Sequence, residues 1–320
     1  MRVASPALVL LLLGATGPLA AQNSQCQPYA GQARAFNTCN AVVDGAQAFH
    51  PVLGLLTSGG SPVLGTMSGL GGFGHFYVSA RVNATHVVLP DLNYDGSTTT
   101  VGAGDKLFFP SPVLEAAMGV YGGLRGGLLS LDLLGSAQLL PTTQIANFSV
   151  APGARHIGSI ALGLGFGARI GILRETALRP GVAVSVMHRN IPQLRYGDLG
   201  TGGNLSFATD LNATNVRLTA GKRFSVLNLG GGLGWDHYTG DATAQFRDPT
   251  TGIPEPAVDV ALSHSRTMGF ADVGLDFRHF KLTTEAGYQL GRDPHLVTTF
   301  TDFDPASGRF FAAAGITLGL

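Results

Sequence analysis

From about residue 71 to the C-terminus, apolar residues recur at every second position, in runs longer than globular strands use. Ile160, Leu162, Leu164, Phe166, Ala168, Ile170 and Ile172 share one face. Ser159, Ala161, Gly163, Gly165, Gly167, Arg169 and Gly171 share the other. A period of two is that of an extended strand, whose successive side chains point to opposite sides. Leu227, Leu229, Leu233 and Trp235 alternate in the same way with Asn228, Gly230, Gly232 and Gly234, and Leu282, Thr284, Ala286 and Tyr288 with Thr283, Glu285, Gly287 and Gln289. A strand that crosses a bilayer needs about 9–11 residues, whereas globular strands average about 5–6. One face is apolar. The other is small, rich in glycine and holds the charges of the strands, as the crowded inside of a narrow barrel would require. A soluble sandwich or lipocalin-like barrel is the alternative, but its polar face would meet bulk water and would not need so much glycine.

Composition agrees with lipid as the outer solvent. Only 12% of residues are charged, against about 25% in soluble domains. Lys+Arg and Asp+Glu are 20 each, a balance that gives nucleic acid no basic surface to bind. The pattern therefore predicts an all-β fold: a transmembrane antiparallel up-and-down barrel of about ten strands, with eight or twelve as alternatives. The strands fall near 71–88, 110–122, 126–138, 156–172, 178–192, 204–221, 225–244, 257–277, 280–292 and 307–320. Around Phe270 to Val273 the apolar phase slips by one residue, which predicts a bulge there. Connections alternate short and long, the habit of outer-membrane barrels. The short ones carry Arg125, Arg174, Arg179, Lys222, Arg223 and Arg278, and the long ones are acidic.

Residues 1–21 read as a cleaved secretory leader: Met1-Arg2, the apolar run Ala7–Leu13, a Gly17-Pro18 break and Ala20-Ala21 before Gln22. Cys26 and Cys39 are the two cysteines, and in an exported chain they are expected to form a disulfide. Residues 22–70 are not strand-like. They predict a partly helical segment, broken at Pro51, that plugs the lumen or caps its periplasmic mouth. Residues 71–320 form the barrel.

The inward positions of the strands carry Arg81, Arg169, Arg189, Arg217 and Lys281 with Asp132, Asp236, Asp272, Asp276 and Glu285. Five of each sign predict a paired network across the lumen, or a constriction that selects small solutes. Asp91, Asn93 and Asp95, followed by Gly96, match the first half of a calcium loop, but the twelfth position is Gly102 where a carboxylate is needed. An Asx-rich turn is the plainer reading. Ser263-His264-Ser265 and Asp236-His237 place neighbours on opposite faces of a strand, which is unsuited to nucleophile activation. No enzyme and no cofactor is expected.

The C-terminal run Phe310–Leu320, with Ile316, Leu318 and Leu320 at alternate positions, resembles the signal that the barrel-assembly machinery reads. It departs from the usual aromatic ending at Leu320. From about Cys39 onward the chain also resembles an uncharacterised family of outer-membrane barrels distantly similar to long-chain fatty-acid transporters. The likeness is one of layout: a short helix, here about Asn40–Thr57, precedes a glycine-rich entry strand, Gly69 to Gly74. Those transporters have 14 strands, more than the roughly 250 residues after Leu70 supply. The resemblance implies the outer membrane of a gram-negative-type bacterium. It also implies membrane lipid and the assembly machinery as partners, and a narrow channel or uptake protein for small molecules, apolar ones included. A non-conducting structural or surface-binding barrel is the alternative, followed by a lipid-modifying enzyme.

Overall fold

The computed structural model describes residues 23–124, 128–142 and 147–319. The leader over 1–21, Arg125 and Leu320 lie outside the described residues. Ten long strands form one sheet: β1 (Phe76–Pro90), β2 (Ala103–Tyr121), β3 (Ser130–Pro141), β4 (Ile160–Leu173), β5 (Gly181–Tyr196), β6 (Leu205–Phe224), β7 (Leu227–Phe246), β8 (Val258–Asp276), β9 (Lys281–Gln289) and β10 (Arg309–Gly319). Each pairs antiparallel with the next. β1 pairs with β10, from Tyr77 opposite Gly319 to Thr85 opposite Phe311, and closes the barrel. Closure removes the unpaired edges that an open sheet would expose to lipid.

The expected faces are present. Leu164, Phe166, Ile170, Leu229, Leu233 and Leu318 point outward and are exposed, which is what an apolar lipid-facing band requires. Phe108, Phe166, Trp235 and Phe310 edge this band toward the long loops, and Tyr121, Phe224 and Phe277 toward the short turns. On β6 and β7 the outward positions beyond Trp235 turn polar, through Asn212, Thr239, Asp241 and Thr243. That half of the wall stands clear of the band. No helix among the described residues is long and apolar enough to cross a membrane; the crossing is made by strands.

The inner glycines make room for large side chains on the neighbouring strand. A Cβ on Gly167 would lie 2.6 Å from the Met187 side chain, one on Gly232 2.7 Å from the Phe270 ring, and one on Gly287 2.3 Å from the Phe311 ring.

One helix, α1 (Ala33–Ser58), runs down the lumen, buried on every side over most of its length. A helix without a single apolar stripe is stable when surrounded, and here the barrel surrounds it. In the half nearer the long loops, Val42, Phe49 and Leu53 pack with Phe207, Tyr196, Phe246 and Leu262 in one apolar cluster. Cys26, in a short 3-10 turn over Ser24–Tyr29, is disulfide-bonded to Cys39.

Three local expectations are corrected. The helix is not broken at Pro51. It continues through it to Ser58, because proline costs a helix one hydrogen bond and burial on all sides offsets that loss. The register of β8 runs unshifted from Met268 to Leu275 against both neighbours, with no bulge at Phe270. Phe270 points inward, where it packs with Leu55 of α1 and Phe311. The entry strand starts at Phe76 rather than 71, since Gly71, Gly72 and Gly74 all have positive φ, between 93° and 108°.

Candidate functional site

Beyond Ser58 the chain leaves the helix and continues to Leu70 through the half of the lumen nearer the short turns. It has neither a helix nor a sheet ladder there. Its peptide groups must still be bonded in a water-poor interior, and the inward-facing side chains of the barrel do this one after another. Arg217 donates from Nη2 to Ser58 O (2.7 Å) and from Nε to Gly60 O (2.8 Å). Arg81 donates to Gly59 O (3.3 Å) and Ser61 O (3.0 Å). Glu285 accepts from Ser61 N at 2.8 Å and Glu115 from Leu64 N at 2.9 Å. Thr317 donates to Leu64 O and Lys281 to Gly65 O. Arg169 donates to Thr66 O, Thr219 to Met67 O, and Asp132 accepts from Leu70 N.

Most of these charges also pair with one another. Arg217 holds Asp236 at 2.6 Å, Arg169 holds Asp132 at 2.9 Å, and Arg81 lies 3.0 Å from Glu115 and 3.7 Å from Glu285. Lys281 lies 3.4 Å from Asp276 at the rim. The predicted network therefore exists, but its common partner is the backbone of residues 58–70, and pairing is incomplete. Arg189 is bonded to Asn215 and to the Met187 sulfur, with no carboxylate within ion-pair distance among the described residues. Asp272 is buried, and its Oδ2 has no hydrogen-bond partner among the described residues.

Glu115 belongs to the network although sequence reasoning left it out. The signal was present: it alternates with Leu114, Ala116 and Met118 on β2 as Asp132 does on β3. Arg266 is a second buried inward charge that was missed.

The segment ends in a vestibule at the short-turn mouth, a polar cavity of about 480 Å3. Residues 65–70 form its roof, and Asn228 and Asp272 line its inner part. Arg174, Lys222, Arg223 and Arg278 stand around its rim.

The other sequence candidates have local roles. Asp91 accepts from Asn93 N and Asp95 from Ser97 N, two Asx turns. Asp95 also pairs with Arg34 at the start of α1, at 2.6 Å. These residues fasten the first long loop to the plug, and no group of three metal-ligating side chains is found among the described residues. His264 points inward, its ring 5.3 Å from that of His50 on α1. Ser265 points outward and lies 3.0 Å from His237 Nδ1, while the His237 ring stacks on Trp235. Asp236 is on the opposite face with Arg217, so it cannot orient His237. Ile316 and Leu318 face lipid on β10.

The sequence matches no known family and no curated protein. Among solved structures, the chain is similar to the translocator domain of the autotransporter NalP from Neisseria meningitidis (10% identity, 87% of this chain and 99% of that one, TM-score 0.42). It is also similar to the outer membrane protease OmpT from Escherichia coli (13%, 81% and 100%, TM-score 0.39) and to the Pseudomonas putida toluene transporter TodX (12%, 81% and 96%, TM-score 0.36). What this chain shares with them is a closed antiparallel β-barrel, here of ten long strands. The roles of these proteins differ from one another, and none is carried over from likenesses so distant.

Proposed function

We propose that this chain is a plugged outer-membrane barrel for the uptake of small molecules, closed while residues 23–70 are seated. The supporting observation is how unlike the two halves of the plug are. The long-loop half is packed by apolar contacts, which water does not replace. The short-turn half has less apolar packing, chiefly Val63 against Ala117, Leu134 and Met187, and is held mainly by polar bonds from side chains to backbone that water can replace, at about 1.5–3 kcal/mol for each bond to a charged group. The second half can therefore detach while the first stays anchored. The apolar packing of α1 favours a second reading, a permanently closed barrel that serves as a structural or surface-binding protein.

Planar-bilayer recordings separate the two. The intact protein should be closed or open rarely, and a form lacking residues 22–70, confirmed as folded by heat-modifiable gel migration, should conduct steadily. A folded barrel that passes neither ions nor small solutes in either form leaves only the second reading.

A further inference from the structure

Asp272 is the one carboxylate of the lumen network that the protein leaves without a hydrogen bond or ion pair among the described residues, and it is 4% exposed. It lies directly opposite Glu285 in the β8–β9 register, and like charges in directly opposed positions repel. Glu285 is relieved by Ser61 N–H and by Arg81. The nearest lysine, Lys281, gives its ammonium to Gly65 O and to Asp276. Buried charges are tolerated when paired, so Asp272 lacks a cation.

Its surroundings are shaped to admit one from the vestibule. Gly274 separates the side chains of Asn228 and Thr283, its register partners on either side. Asn228 Nδ2 and Thr283 Oγ1 are also buried without hydrogen-bond partners among the described residues. Asp272 and Asn228 both line the vestibule, whose rim carries Arg174 and Arg278, neither of them in an ion pair among the described residues. The cavity thus has an unpaired carboxylate at its inner end, and around it the basic Arg174, Lys222, Arg223, Arg278 and Lys281 outnumber Glu175 and Asp276. Its volume of about 480 Å3 is that of a small-molecule site rather than an ion site.

We propose that the short-turn vestibule binds a small zwitterion. Its protonated amine docks on Asp272, with Asn228 lining the cavity beside it, and its anionic group faces Arg174 and Arg278. An amino acid or short peptide has this chemistry. Binding takes place with the plug seated and does not require the barrel to conduct, so it stands or falls separately from uptake.

The test is calorimetric titration of the full barrel in detergent with alanyl-alanine, ethylamine and acetate. Alanyl-alanine should bind, ethylamine should bind more weakly, and acetate should not bind. Asp272→Asn, with folding checked by heat-modifiable migration, should weaken both amine probes at least tenfold. Arg278→Ala, a rim change with no fold to disturb, should weaken alanyl-alanine several-fold and leave ethylamine unchanged. The proposal is overturned if neither amine probe binds at 50 mM, if Asp272→Asn binds them as the wild type does, or if acetate binds as well as alanyl-alanine. A buried carboxylate that merely keeps its proton would give the first of these results.

Discussion

Arg217 on β6 donates to the carbonyl of Ser58, the last residue of α1, at 2.7 Å, and with its other terminal nitrogen holds Asp236 on β7 at 2.6 Å. One guanidinium therefore joins the end of the helix to two strands of the wall. Replacing Arg217 by Met leaves the Asp236 carboxylate buried with only Asn215 and Tyr238 donating to it. Breaking a buried pair from one side costs about 3–5 kcal/mol. Urea unfolding in vesicles, followed by the fluorescence of Trp235, the single tryptophan, should show a loss of that order. Asp236→Asn in the same chain should restore part of the stability. It should not restore the hold on Ser58, so a cysteine placed at Ser61 should react with a thiol reagent in both variants and not in the wild-type background.

Gly54 faces the ring of Tyr238, and a Cβ there would lie 2.5 Å from it. The ring cannot easily swing away, because its hydroxyl donates to Asp236 (2.8 Å) and accepts from Gln289 (3.1 Å). Gly54→Val should cost about 1–3 kcal/mol as overpacking, and the strain should be relieved by displacement of the helix rather than of the wall. The barrel should still show heat-modifiable migration while α1 becomes open to protease. Gly135→Val, at a glycine with nothing within 4 Å of the added carbon, should change neither property.

The barrel was legible in the sequence because lipid and a narrow lumen impose opposite demands on alternate residues, as along Ile160–Leu173. What the lumen contains was harder to read. Phe270 breaks the pattern of small or polar inward residues and so looked like a slip of register, when it marks the place where Leu55 of the plug offers an apolar partner. Arg81, Arg169, Arg217 and Lys281 could be placed inside from their alternation. Their acceptors could not, since backbone carbonyls such as those of Gly59 and Gly65 have no residue type to announce them. Pro51 misled for a related reason: propensity describes a helix in water, and α1 is enclosed.

The chain enters the lumen at the long-loop mouth, where Tyr29 packs edge-on against Phe246 and Gln25 donates to Asp259 O. The Cys26–Cys39 bridge fixes this entry to the start of α1. Closing a loop of this size is worth about 3 kcal/mol in the chain-entropy account. A Cys26→Ala/Cys39→Ala variant should keep the barrel but lose order in residues 23–32, seen as early proteolysis confined to that stretch. A short epitope inserted before Asn23 should be reached by antibody on intact cells. Detection only after the outer membrane is permeabilised would show that the plug enters from the other mouth.

The long loops should loosen in acid. Hydrogen bonds from Ser97 hold the Asp95 carboxyl below its usual range, with Arg34 adding to the effect. The Ala103 N–H and Lys106 do the same for Asp302. A carboxylate whose folded-state pKa is depressed contributes stability above its unfolded value, near 4, and that contribution is lost as pH falls through the folded pKa. The contacts of both loops should thus be complete at neutral pH and weaken below about pH 4. Both carboxylates are exposed, so the effect should be local and should leave the wall intact. A spin label at Thr301 reports the state of the last long loop, next to Asp302. Its mobility should rise as pH falls below about 4, and Asp302→Asn should raise mobility at neutral pH and flatten the profile. An unchanged profile in that variant would place the anchor of the loop elsewhere, at Thr298 N–H on Asp44 of α1 (2.6 Å).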